Sequence, residues 1–337
     1  AASDVYKRQL AGLITRSRNV LVMGHKNSDL DSFGASLAAA RIAENLGKKV
    51  NIVIDYESLE EKTRGVVEML RSNPDYKGLM LTISEALEKA NKDTLLISVD
   101  NHKDSLAISR SVLDKVKNKV IIDHHRRSEE FISSPVLTYL EPSASSTVEL
   151  LVELFDYQQH EIDISSLDAT VMYTGMLVDT NYFRQHVGTR TFQSAAKLKE
   201  AQADLTLAYE LLEDSFECMK EIFDITESAY RYKDKILIAT GKDEELSRST
   251  LAKAANQLVY VSGIYAAFAI GYISKNTVAI SARSSKKINV QMIMENDALH
   301  GGGHFSMAAC QIENVTIEEA KERLEHAIDA YLEDRGV

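Results

Sequence analysis

Short runs of continuous apolar residues alternate with longer stretches in which apolar positions recur every three or four residues. Residues 20–23 (Val-Leu-Val-Met) form one such run, and residues 33–46 then read as an amphipathic helix that Gly47 closes as a C-cap. A second run at 50–54 leads into a helical pattern at 59–70, which stops at Asn73-Pro74. Residues 95–99 and 119–122 are two further apolar runs. Strands apolar on both faces and separated by helices predict a parallel sheet covered on both sides. Ligands of such sheets sit beyond the carboxyl ends of the strands.

From residue 145 to residue 199 the pattern turns helical, with Ser145-Ser146-Thr147 capping a helix through 154. Residues 171–178 continue the core and deliver Asp179. Residues 204–223 are charged and free of glycine, and they read as a connecting helix. A second unit follows, with a strand at 235–239, a helix at 249–261 and a hairpin of 265–273 with 277–283 around Lys275-Asn276. Gly301-Gly302-Gly303-His304 then precedes a strand at 308–312 and a closing helix at 317–332. The expected class is therefore α/β: a doubly wound parallel-sheet domain over 8–200, a linker helix over 201–225 and a smaller α/β domain over 226–337.

Length supports this division, since 337 residues suffice for two cores. A net charge of −11 argues against a long nucleic acid as partner but leaves a small nucleotide open. Cys218 and Cys310 are far apart and lack metal-ligand spacing, so they read as free thiols of a reducing compartment. The longest apolar candidate, 264–273, falls far short of the ~20 residues that span a bilayer. No secretory signal is visible, and the chain opens Ala1-Ala2-Ser3 without an initiator methionine, which reads as a piece of a longer protein.

The chemistry lies at the ends of the regular elements. His25, Asp29 and Asp31 follow the first strand with the spacing H-x3-D-x-D. Asp100 follows the strand at 95–99, Asp123-His124-His125 the run at 120–122, and Asp179 the helical core. Asp29 or Asp31 alone would read as a helix cap. Four clusters of His and Asp at such positions point instead to one polynuclear metal site assembled from several loops. Imidazole and carboxylate without thiolate suit manganese, iron or magnesium. Asp29, Asp31, Asp100 and Asp179 balance two divalent ions, which at about 3.5–4 Å apart support in-line displacement at phosphorus.

In the second unit, the glycine triplet would let backbone N–H groups approach a phosphate, and Arg283 would bind one bidentately. His304 is a candidate for phosphate or base. Gly241-Lys242 is not a P-loop, because the preceding glycine spacing is absent. His160, His186, His300 and His326 are given no role, and Lys286-Lys287 reads as a solvated turn.

H-x3-D-x-D, a strand-ending Asp, D-H-H and a further Asp together resemble the DHH phosphoesterase superfamily. Ser281-Ala282-Arg283-Ser284 and the GGGH stretch resemble its DHH-associated second domain. Several stretches are similar to one branch, the GdpP-type cyclic di-AMP phosphodiesterases. They include Met23-Gly24-His25-Lys26-Asn27, His124-His125-Arg126-Arg127, Glu141-Pro142-Ser143-Ala144-Ser145-Ser146-Thr147 and Val178-Asp179-Thr180-Asn181. Gly188-Thr189-Arg190-Thr191-Phe192 and Ile288-Asn289-Val290-Gln291 belong with them. The resemblance runs from about Asn19 to the closing helix, with Ser28 standing where proline is expected.

The resemblance implies His25, Asp29 and Asp100 on one ion, and Asp31, Asp100, His124 and Asp179 on a second, with Asp100 bridging and manganese the usual metal. It implies His125 near the substrate phosphate and Asp123 orienting a histidine, and His102 sits where a phosphate-contacting histidine could be. Arg283, Gly301, Gly302, Gly303 and His304 would hold the nucleotide. The implied activity opens cyclic di-AMP to 5′-pApA through a metal-activated hydroxide. The alternative is a short-oligoribonucleotide exonuclease that also removes phosphate from pAp. A pyrophosphatase is disfavoured by the GGGH pattern, and a non-catalytic nucleotide sensor by the intact ligand set. A homodimer through the exposed linker helix is a further expectation. Relatives in that branch carry membrane-spanning and regulatory segments ahead of the catalytic part, which places this part in the cytoplasm.

Overall fold

The computed structural model describes residues 2–155, 162–285 and 287–334, and the chain divides into two compact units, Ala1–Glu213 and Asp214–Val337. His160 and Lys286 lie outside the described residues.

In chain order the first unit contains α1 (Ala2–Arg16), β1 (Asn19–Met23), α2 (Leu30–Asn45), β2 (Lys49–Val53), α3 (Glu61–Ser72), β3 (Met80–Leu81) and α4 (Ile83–Lys89). It continues with β4 (Thr94–Val99), α5 (Arg110–Lys115), β5 (Asn118–Asp123), β6 (Leu137–Leu140), α6 (Thr147–Phe155), α7 (Ser166–Asp179), α8 (Thr189–Glu200) and α9 (Leu205–Glu210). The strands form one sheet in the order β3-β2-β1-β4-β5-β6, and every pairing is parallel.

Alternate strand residues feed two different cores, as a period of two requires. Val20, Val22, Ile52, Leu95, Ile97, Val120 and Ile122 pack with residues of α2, α6 and α7. Leu21, Met23, Val53, Leu96 and Ile121 pack on the opposite face with residues of α4 and α5. The sheet is doubly wound for that reason. Strand order reverses between β1 and β4, whose register pairs Met23 with Ser98. The two chains leaving those strands diverge, which opens a crevice at their carboxyl ends. His25 and Asp100 lie directly beyond them.

The second unit contains α10 (Phe216–Glu227), β7 (Tyr230–Tyr232), β8 (Ile236–Glu245), α11 (Arg248–Val259), β9 (Ala266–Ser274), β10 (Thr277–Ser284), α12 (Val290–Met294), β11 (Gly302–Gly303), β12 (Met307–Glu313) and α13 (Ile317–Glu333). Its sheet runs β11-β12-β10-β9-β8-β7, with β8 parallel to β9 and the other pairs antiparallel. The expected hairpin is β9 with β10. Ile238, Phe268 and Ile280 pack with α12 and α13 on one face, while Leu237, Ala267 and Ala279 pack with α10 and α11 on the other.

The single linker helix expected over 201–225 is corrected: the chain makes α9, breaks, and starts again at α10, and the division between units falls after Glu213. The absence of glycine misled the pattern. Asp204 caps α9 by accepting from Leu207 N, and Ser215 caps α10 by accepting from Cys218 N. Short polar side chains that bond nearby amides start new helices as readily as glycine ends old ones.

Candidate functional site

Four carboxyl-end segments of the first unit converge. Past β1, His25 Nδ1 bonds the Lys26 carbonyl at 2.6 Å, so that nitrogen carries the proton and Nε2 is turned to the carboxylates. Nε2 lies 3.3 Å from Asp100 Oδ2 and 3.8 Å from Asp29 Oδ1. Asp29 is also the N-cap of α2, accepting from Ser32 N at 2.9 Å. It fills both roles that the spacing allowed.

Asp31 lies in the first turn of α2 and is fully buried. Its two oxygens accept the backbone N–H groups of Thr147 at 2.7 Å and Val148 at 3.0 Å. Those are otherwise orphan donors at the start of α6, and the positive end of that helix favours an anion. Asp179 is placed oppositely, at the carboxyl end of α7, where the helix dipole disfavours a carboxylate by about 0.3–1 kcal/mol. A cation beside it would reverse that cost.

Asp100 is the centre of the arrangement. Its φ of 56° puts a non-glycine residue in the left-handed region, a strain of about 1–3 kcal/mol that the fold holds in place. Oδ2 faces His25, while Oδ1 lies 3.6 Å from His124 Nε2 and accepts from Thr147 Oγ1 at 2.8 Å. Its two oxygens thus face two different histidines. His124 Nε2 is also 3.0 Å from Asp179 Oδ2, and its Nδ1 faces the Ala144 carbonyl at 3.3 Å.

These residues fit divalent cations. The ligand atoms of His25, Asp29 and Asp100 lie within 4.8 Å of one another, as do those of Asp31, His124 and Asp179, and those of Asp100, His124 and His125. His124 Nε2 is buried without a hydrogen-bond partner. A buried imidazole nitrogen with no hydrogen-bond partner, facing carboxylates, suits a cation. Without a cation the carboxylates crowd: burial, Asp179 and Asp100 raise Asp31 well above the usual range, and burial also raises Asp179. Burial would lower His25, but hydrogen bonds to Asp100 and Asp29 raise it to about 12.

Beside this cluster Asp123 serves two histidines. Oδ1 accepts from His125 N at 3.0 Å and pairs with His125 Nδ1 at 2.8 Å, while Oδ2 meets His102 Nδ1 at 2.5 Å. Burial opposes its ionisation, but the bonds to His102 and His125 hold it below the usual carboxylate range. His102, expected where it could contact a phosphate, is 2% exposed with both ring nitrogens engaged, Nε2 with Ser128.

In the second unit Arg283 lies on β10, with Nε donating to Asn256 Oδ1 at 2.9 Å and Nη1 to the Ala282 carbonyl at 2.9 Å. No carboxylate pairs with it among the described residues, and burial lowers its pKa to about 10. A largely buried guanidinium without a counter-charge suits an incoming anion.

The glycine triplet has another reason than the one expected. A Cβ on Gly301 would stand 2.6 Å from the Ala309 carbonyl oxygen, and one on Gly303, at φ 148°, would stand 2.4 Å from that of Met307. Both are small because β12 lies against them; only Gly302 faces open space. His304 is exposed, with its backbone N–H on the Met307 carbonyl at 2.6 Å. His186, His300 and His326 are exposed and belong to no metal-suited cluster among the described residues.

Sequence reasoning missed Thr147 as a partner of both Asp31 and Asp100. Its run, Glu141 to Thr147, stood out only through the family resemblance, and an ordinary cap accounts for Ser-Ser-Thr equally well.

Residues 19–176 match the N-terminal domain of the DHH family, and residues 233–334 match the DHHA1 domain. The chain is 39% identical over 332 residues to the cyclic-di-AMP phosphodiesterase GdpP of Bacillus subtilis, covering 98% of this chain and 50% of that protein. It thus spans about half the length of that curated relative. Over 165 residues it is 30% identical to a probable manganese-dependent inorganic pyrophosphatase of Streptococcus mutans, covering 48% of each. Among solved structures, an exopolyphosphatase-related protein of Bacteroides fragilis superposes with a TM-score of 0.80 at 20% identity, covering 97% of this chain and 96% of the other.

Proposed function

This chain belongs to the DHH family, and from that premise we propose that it is a metal-dependent phosphodiesterase that opens cyclic di-AMP to 5′-pApA. The observation that carries the chemistry is the cluster around Asp100, in which one carboxylate faces both His25 and His124. His25, Asp29 and Asp100 would hold one divalent ion, and Asp31, Asp100, His124 and Asp179 a second, with manganese favoured by the donor set and by the name of the pyrophosphatase relative. Such ions supply Lewis acidity at phosphorus and an acidified water at neutral pH.

The chain's own residues do the rest. The Lys26 carbonyl fixes the His25 tautomer, and the Ala144 carbonyl that of His124. The α6 amides and the Thr147 hydroxyl hold Asp31 and Asp100 in place before substrate arrives, so little reorganisation is needed. His125, half-exposed and tethered by Asp123, is proposed to contact the scissile phosphate. In the second unit, Arg283, which has no carboxylate partner among the described residues, is proposed to take a nucleotide phosphate, together with Gly302 and His304 of the glycine-rich stretch.

The substrate preference is supported by the near-full-chain similarity to a named cyclic-di-AMP phosphodiesterase. Membrane anchoring, cytoplasmic placement and regulation by further segments belong to the same proposal. A homodimer is proposed through the stretch 201–225, where Phe216, Met219 and Phe223 of α10 are exposed. The test is product chromatography after incubation with manganese and, separately, cyclic di-AMP, pApA, pAp and pyrophosphate. Conversion of the cyclic substrate that stops at pApA supports the reading. Degradation of pApA or pAp with the cyclic substrate untouched moves the chain to the exonuclease alternative.

A further inference from the structure

We propose that His102 is a positioning residue for phosphodiester cleavage: a buried imidazole that orients His125 through Asp123 and anchors the loop carrying Arg126 and Arg127. The inference rests on the hydrolase reading above but not on the identity of the nucleotide.

The hydrogen bonds define the tautomer. Ser128 donates its backbone N–H to His102 Nε2 at 3.2 Å. The Ser128 hydroxyl donates to the Glu130 carbonyl at 2.6 Å, so its oxygen, 3.1 Å from Nε2, brings no second proton there. Nε2 is therefore the acceptor, and Nδ1 carries the proton that reaches Asp123 Oδ2 at 2.5 Å. Asp123 has both oxygens committed, Oδ2 to His102 and Oδ1 to His125, which leaves its carboxylate one orientation. With Nδ1 of His125 held in this way, only Nε2 is available to a substrate.

The same imidazole fixes the loop after the D-H-H triplet. Besides the Ser128 contacts, the Phe131 ring packs on His102 with centroids 5.3 Å apart, and Ile132 N donates to the His102 carbonyl at 2.7 Å. Arg127 lies over Phe131, 5.1 Å from its centroid. A single residue, two positions after Asp100, thus sets both the histidine that would face the phosphate and the backbone that presents two arginines. Only an imidazole spans this gap with a donor at one end and an acceptor at the other. Asparagine and glutamine each reproduce one end.

That asymmetry provides the test. His102→Asn keeps a donor near the Nδ1 position for Asp123 and loses the acceptor for Ser128. His102→Gln keeps an acceptor near Nε2 and leaves Asp123 Oδ2 without its donor. Steady-state kinetics with manganese would be measured on cyclic di-AMP and on bis(p-nitrophenyl) phosphate, a diester without adenine. Manganese affinity by calorimetry, melting temperature, and the imidazole nitrogen signals of the metal-free protein labelled with 15N-histidine complete the set.

We expect His102→Gln to lower kcat about 10–100-fold, and His102→Asn to raise KM with kcat within a few-fold of wild type. Manganese affinity should be unchanged in both, and the signal lost in either variant should be that of an Nδ1–H imidazole. Unchanged kcat and KM in both variants, with only the melting temperature lowered, would reduce His102 to a structural residue. Weakened manganese binding in proportion to lost kcat would also overturn the proposal, as would an Nε2–H tautomer. Wild-type turnover of the chromogenic diester without turnover of cyclic di-AMP would sink the substrate reading alone, and His102 would still be tested on the diester.

Discussion

Thr147 donates its hydroxyl to Asp100 Oδ1 at 2.8 Å across 47 positions of sequence, while its backbone N–H binds Asp31. One residue at the start of α6 thus aligns two carboxylates, one from the start of α2 and one from the end of β4. Replacing it by valine removes the hydroxyl and keeps the amide. Thr147→Val should lower manganese affinity or turnover about 10–100-fold, with Thr147→Ser near wild type, measured by metal titration and kinetics. Asp100→Ala should abolish manganese-dependent turnover outright; full activity in that variant would remove Asp100 from the bridging role.

A second prediction concerns Gly175, where α7 crosses α2. A Cβ there would stand 2.6 Å from the Leu30 carbonyl oxygen and 3.0 Å from Asp31 Cα. Gly175→Ala forces the helices apart at a cost of about 1–3 kcal/mol, and the same shift separates Asp31 from Asp179 four residues on. Both the melting temperature and the manganese affinity should fall. A lower melting temperature with unaltered metal affinity would mean that the backbone relaxes away from the site.

Stability and activity should separate at Asp168. Its carboxylate receives Arg41 Nε and Nη2 at 3.0 Å each and Tyr76 Oη at 2.9 Å, and it closes the capping box of α7 with Ser165. Asp168→Ala leaves a half-buried guanidinium without that partner, so a loss of about 3–5 kcal/mol is expected in denaturant melts. Turnover per folded molecule should persist, because Asp168 touches none of the clustered ligands.

Protons should compete with metal at His25. In the metal-free chain burial lowers its pKa, but hydrogen bonds to Asp100 and Asp29 raise it from 6.5 to about 12. The folded value lies above the unfolded one, so this contribution to stability is full below 6.5 and disappears as pH rises toward 12. Manganese needs Nε2 unprotonated, so its affinity should rise with pH and its binding should release protons. Calorimetry at pH 7 in two buffers of different ionisation enthalpy reads that release directly. An enthalpy independent of buffer would show that His25 is already neutral.

Much of this arrangement was visible along the chain. The mostly apolar stretches at 20–23, 50–54, 95–99 and 119–122 became β1, β2, β4 and β5 because strands buried on both faces leave a near-continuous apolar signature. The two-residue β3 and the four-residue β6 carried too few positions for any period to register. Residues 201–225 failed for a different reason: polar caps inside a charged stretch look like ordinary helix surface until the backbone is seen to break.

The sequence by itself determined that His25, Asp29, Asp31, Asp100, His124 and Asp179 stand at the ends of regular elements, because strand period, helix caps and motif spacing are local properties. Only the tertiary structure decided which atom faces which. That Asp31 docks on the α6 amides, that Asp100 divides its oxygens between two histidines and that His102 is buried on Asp123 all depend on pairings between distant segments. Even Gly301 and Gly303 took their reason from the β12 backbone behind them. Hydrogen-bond partners and close approaches are set by packing, and packing brings together residues that the linear order keeps apart.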